Sequence, residues 1–167
     1  MSGVPFLYVN LIAMCGYAIV LISFLAAKKT PEIKAFLTLL VVYMIWTGGS
    51  ILMRLQLAPG LDFWYYVSLL ALFCIAAVTY IFVYVFTKTP RSIFAFLWVG
   101  GTLVILVLSA FGIFLKPPTP VQTDAGTVFT YSMDWKVAIP YAFFACIVVS
   151  IYLIIKNTVT RTGHRAP

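Results

Sequence analysis

Residues 63–87 read FWYYVSLLALFCIAAVTYIFVYVFT, a run from Phe63 to Thr87 without one charged side chain. A helix needs ~20 apolar residues to cross the hydrocarbon core of a bilayer. In lipid the backbone must satisfy its own hydrogen bonds, and a run of this length does so only as a helix. Four further stretches have the same character: Phe6–Ala27, Ala35–Leu57, Ser92–Leu115 and Val137–Ile155. Of the 167 residues, 63% are hydrophobic and 9% charged, far from the usage of a soluble domain. The sequence therefore predicts an all-α, polytopic membrane bundle of five transmembrane helices. Residues 1–156 form the transmembrane domain and residues 157–167 a short basic tail. No segment between the stretches is long enough to bury a core of its own.

Charge supplies the orientation. Lys28, Lys29 and Lys34 with Glu32 lie between the first two stretches, and Lys88 and Arg91 lie between the third and fourth. The tail adds Lys156, Arg161 and Arg165, so this side carries eight basic residues against one acidic residue. The opposite side balances Arg54, Lys116 and Lys136 against Asp62, Asp124 and Asp134. Excess Lys and Arg in short loops marks the cytoplasmic face, which places the N-terminus outside and the C-terminus in the cytoplasm. The net charge of +7 is on this reading a topology signal and not a nucleic-acid-binding patch. The opening MSGVPF has no basic region and no small-residue cleavage site, so the first helix is expected to be retained.

The four carboxylates (Glu32, Asp62, Asp124 and Asp134) fall in loops or at helix ends, and the single histidine, His164, lies in the tail. Proton relays and ion pumps place ionisable groups inside the membrane, which argues against an acid-coupled transporter. The spans also lack the residues for bis-His haem ligation, a histidine metal cluster or a Ser-His triad. No lysine stands in mid-span to form a Schiff base with retinal. Cys15, Cys74 and Cys146 fall near the middle of helices one, three and five, where they read as small apolar residues. The expectation is a protein that is not an enzyme and has no cofactor and no metal.

The connections are short apart from Lys116–Lys136. That segment opens on Pro117-Pro118-Thr119-Pro120, and its two runs of β-branched and aromatic residues flank Asp124-Ala125-Gly126. The pattern fits a short β-hairpin, and equally an irregular loop resting on the membrane surface. It is the one segment between helices large enough to form a surface, and it is expected to fold over the outer helix ends near Asn10, Arg54 and Trp64 as a cap. Arg54 could pair with Asp62, receive an anionic ligand, or snorkel to the interface as Arg near helix ends does. Asn10 could hydrogen-bond across to a neighbouring helix. Trp64, Phe129, Tyr131 and Trp135 belong to an outer aromatic belt, whose surplus could line a shallow outward pocket. Gly48-Gly49-Ser50 and Gly100-Gly101 would allow helix backbones to approach closely.

An outside N-terminus and one helix lead into a basic turn with Thr30-Pro31. A helix opened by Phe36 and carrying Trp46 comes next, then an aromatic-opened helix running through Phe82–Thr87 into Lys-Thr-Pro. This layout resembles the membrane-spanning N-terminal region of bacterial sensor histidine kinases and diguanylate cyclases, the histidine-kinase N-terminal seven-helix region. In that family a long outer segment with a Gly and a Tyr precedes the fifth helix, similar to Gly126 and Tyr131 here. The resemblance covers residues 6–156. It implies a signal-input or ligand-sensing module in the plasma (inner) membrane that relays to a cytoplasmic partner. Two departures stand out: five helices in place of seven, and a tail, Asn157–Pro167, without heptads or a kinase or cyclase motif. They fit a fragment of a sensor or a free-standing relative, and they open a second reading as an accessory or structural subunit of a multi-subunit membrane complex. Expected partners are the lipid bilayer, other membrane-protein subunits or a cytoplasmic signalling protein, and no nucleic acid.

Overall fold

The computed structural model of the chain describes residues 3–88, 93–114, 116–123, 126–130 and 134–163. Thr89-Pro90, Arg91, Asp124-Ala125, Tyr131, His164 and Arg165 lie outside the described residues. Five helices follow one another: α1 (Gly3–Leu25), α2 (Pro31–Arg54), α3 (Leu61–Phe86), α4 (Ile93–Ala110) and α5 (Ala138–Gly163). Between α4 and α5 stand strands β1 (Thr119–Thr123) and β2 (Gly126–Thr130) and a single 3-10 turn, Trp135–Val137. All five helices are long and apolar enough to cross a membrane, and the chain is a multi-pass membrane protein on that evidence. Successive helices run antiparallel. One end of the bundle carries the hairpin, and the other carries Lys28, Lys29, Lys34, Lys88 and Lys156; they are called here the hairpin end and the basic end.

Local chemistry sets the helix ends. Thr30 caps α2, its hydroxyl accepting from the Ile33 N–H at 3.4 Å, and Pro31 occupies the first turn, where its missing N–H costs nothing. Lys29 Nζ donates to the Phe24 and Leu25 carbonyls at 3.3 and 2.7 Å, capping the negative end of α1 with a cation. The fourth apolar stretch predicts a helix reaching Leu115, but α4 stops at Ala110. Gly112 takes φ +69° and donates to the Ser109 carbonyl at 2.9 Å, while Ile113 N–H reaches the Leu108 carbonyl at 3.1 Å. That pair of bonds is the Schellman stop, which hydrophobicity alone does not reveal. The same stop ends α2 with Gln56 at φ 49°, Gln56 N–H bonding Met53 O at 3.1 Å and Leu57 N–H bonding Leu52 O at 3.3 Å. At the far end, α5 continues as helix through Asn157–Gly163, most of the expected basic tail.

Helix α3 is the hub. It packs against α2, α4 and α5, whereas α1 packs on α2. The tightest crossing joins α2 and α3 at Gly49, where an added Cβ would stand 3.1 Å from the Ser68 backbone nitrogen. Beside it Ser50 Oγ and Ser68 Oγ are 2.8 Å apart, and Ser68 Oγ also donates to the Trp46 carbonyl at 3.1 Å. Gly48 faces α1 instead, 3.3 Å from Met14 Cε by the same measure. The main cluster of buried side chains (Met53, Tyr65, Leu69, Phe73, Ile105 and Phe114) draws on α2, α3, α4 and the residues just after α4. Three further hydroxyls in the spans are satisfied within their own helix: Thr79, Thr102 and Ser150 each donate to the carbonyl four residues earlier at 2.7–2.9 Å. Such bonds let a polar side chain sit in an apolar segment without a partner helix. The buried Ser109 Oγ, by contrast, makes no hydrogen bond among the described residues.

Candidate functional site at the hairpin end

Of the two readings that the sequence left open for this segment, the hairpin is the one that forms. β1 and β2 pair antiparallel, with Thr119 opposite Thr130 and Thr123 opposite Gly126. Gly126 is thus a paired strand residue, leaving Asp124 and Ala125 between the strands where the sequence suggested a three-residue turn. A two-stranded ribbon is marginal alone in water, and this one leans on the helices: β2 lies against α1. Phe129 of β2 also meets the last residue of α2, with the Arg54 guanidinium carbon 5.8 Å from the ring centroid. A guanidinium over an aromatic face contributes roughly 0.5–2 kcal/mol depending on desolvation. This contact fastens the hairpin to the α2 end.

The other candidate residues have separate positions. Arg54 and Asp62 are not paired with each other; among the described residues the ion pair present is Lys136–Asp134, at 3.9 Å between two exposed side chains. Asp62 is exposed in the first turn of α3, where a carboxylate suits the positive helix end. Trp64 is taken up by the α2–α3 turn, its indole N–H shared between the Leu57 and Ala58 carbonyls at 3.1 and 3.2 Å. Asn10 is half-buried in α1, and its Nδ2 makes no hydrogen bond among the described residues. Trp135 is 76% exposed, just before α5, and Tyr131 is outside the described residues. The structure therefore brings Arg54 and Phe129 together, and leaves Asp62, Trp64 and Trp135 apart from that contact. Among the described residues no three His, Cys, Asp or Glu side chains gather where a metal could bind.

Two features of the α3–α4–α5 side were not legible in the sequence. Trp98 meets Phe143 edge-on, with centroids 5.4 Å apart, and the Phe143 ring lies directly over Gly101, 2.5 Å from where a Cβ would stand. Between α3 and α5 runs a lateral apolar groove of about 330 Å³, with Leu69, Leu72, Ala76 and Thr79 on one wall and Pro140 and Val148 on the other. Gly101 within the Gly-Gly pair was the one available signal for the first; the groove has none, because all its walls look like ordinary span residues. No protein-family profile, curated protein or solved structure matches this chain.

Proposed function

We propose that this chain is a non-catalytic signal-input module of the plasma membrane, with the hairpin outside and the basic end in the cytoplasm. The observation that carries this reading is the path of α5. The helix starts directly after the hairpin and the 3-10 turn, and it runs uninterrupted for 26 residues to the basic end, about 39 Å at 1.5 Å per residue. A ligand or neighbour that moves the hairpin therefore pulls on the first turn of a single rigid rod. Shifts of ~1–2 Å along or about such a rod are a common currency of switching. The α3–α5 groove favours this, since α5 is less closely held along that wall than α2 is by α3. The likeness in layout to sensor input regions and the surplus of basic residues at one end point the same way.

Orientation is tested by labelling. With Cys15, Cys74 and Cys146 replaced by alanine, Gln122→Cys should react with an impermeant maleimide in intact cells, and Thr162→Cys should react only after lysis. Reversed labelling would overturn the assignment of sides. The relay is tested by spin-label distances between Phe86→Cys on α3 and Ile155→Cys on α5. Replacing Val121–Tyr131 by a Gly/Ser linker should change that mean distance by about 1–2 Å or broaden it visibly. An unchanged distribution would remove α5 as the transmitter. One observation favours the accessory-subunit reading: none of the apolar window of α1 is buried, which leaves a helix face for a neighbouring subunit. Co-purification of a stoichiometric partner that is lost when the exposed face of α1 is altered, for example by Ile12→Ser, would favour it.

A further inference from the structure

From the shape of the α3–α5 groove we infer that it is a binding slot for one acyl chain of a membrane phospholipid, with the headgroup at the hairpin end. The α3 wall runs from Leu69 to Thr79, roughly 15 Å at the helical rise. Spread over that length, 330 Å³ describes a long, shallow trough narrower than the ~10–12 Å diameter of a helix. A partner helix or second copy of this chain would therefore bridge the slot without filling it. The lining offers nothing polar in its depth, because the hydroxyl of Thr79 is already bonded to the Ile75 carbonyl at 2.7 Å. At the hairpin end the lining includes Val137 and Tyr141, and just before them stands the exposed Lys136–Asp134 pair at 3.9 Å. An interfacial aromatic with charges of both signs beside it suits a zwitterionic phospholipid headgroup at the membrane interface. This site goes beyond the signal-input reading and does not depend on α5 moving.

The test uses the whole chain, reconstituted in phosphatidylcholine nanodiscs and released into mild detergent for native mass spectrometry. The expected spectrum shows one phospholipid retained per chain. Ala76→Phe, which sets a ring in the slot, and Val148→Phe, at a position 61% exposed and so without folding risk, should each reduce the retained lipid about tenfold or more. Val104→Phe, at an exposed α4 position outside the slot, should leave it unchanged. Absence of a lipid adduct on the unaltered chain, or equal retention by Val148→Phe, overturns the proposal. An adduct with the mass of a second chain that disappears in Val148→Phe overturns it in favour of self-association. An adduct of equal size on the Val104→Phe and Val148→Phe variants reveals a non-specific lipid annulus and overturns it as well.

Discussion

Gly49→Leu should leave the chain unable to hold its α2–α3 crossing, costing about 3 kcal/mol or more in reversible unfolding. The reason is what a side chain at 49 would meet. Its Cβ would stand 3.1 Å from the Ser68 nitrogen and 3.2 Å from the Ser68 Cα, and backbone atoms cannot swing aside. The helices must separate, which also breaks the 2.8 Å contact of Ser50 with Ser68. Gly49→Ala should show the lower part of that penalty, about 1–2 kcal/mol. Gly48→Ala is the informative neighbour, since its obstacle is the flexible Met14 Cε at 3.3 Å; a small cost is expected. Gly16→Ala and Gly100→Ala meet nothing within 4 Å and should gain up to ~1 kcal/mol of helix propensity. Steric-trap or mixed-micelle unfolding of the five variants gives the ranking. Equal costs at 48 and 49 would remove the Gly49–Ser68 crossing as the tight point of the bundle.

Gly101→Ala should cost about 1–3 kcal/mol, and the loss should shrink when Phe143 is changed with it. A methyl at 101 would lie 2.5 Å from the Phe143 ring. A free ring would turn away, but this one is held edge-on by Trp98 at 5.4 Å and lies 6.2 Å from Phe144. Phe143→Leu alone gives up aromatic packing and should destabilise by roughly 1 kcal/mol. In combination with Gly101→Ala the smaller side chain clears the methyl, so the double variant should be more stable than the sum of the two single losses by ~0.5–3 kcal/mol. Strict additivity would mean that ring and glycine do not touch.

What was legible and what was not divides along one physical line. Length and unbroken apolarity are local properties, and they foretold all five helices from Phe6–Ala27 through Val137–Ile155. β-branched and aromatic runs around a glycine are also local, and they put the hairpin on a par with an irregular loop without deciding between them. Helix ends were less visible: Gly112 and Gln56 stop their helices by backbone conformation while the sequence around them stays apolar. Facing was least visible. In a soluble helix, polar and apolar sides announce which way it turns, but a lipid-facing residue and a core residue are equally apolar. Nothing in the sequence distinguishes exposed Leu72 from buried Leu69 or Phe73, so the groove could not be read there, and of the Trp98–Phe143–Gly101 contact only the Gly100-Gly101 pair gave a sign. The Arg54–Phe129 meeting lies between these cases. Both residues were suspected of lining a common surface, but the pairing of Arg54 with Asp62 was as reasonable from sequence alone as the contact that the hairpin makes.

The peripheral place of α1 bears on how the chain comes together. Membrane helices insert first and associate afterwards, and every member of the main buried cluster, from Met53 to Phe114, lies outside α1. Four helices can therefore complete their interior while the first remains a lodger in the lipid, joined through a basic turn and the Met14, Tyr17 and Phe24 contacts with α2. The same looseness makes α1 the removable piece of the assembly. A chain that lost or exchanged it would keep its interior and surrender chiefly the floor on which β2 rests.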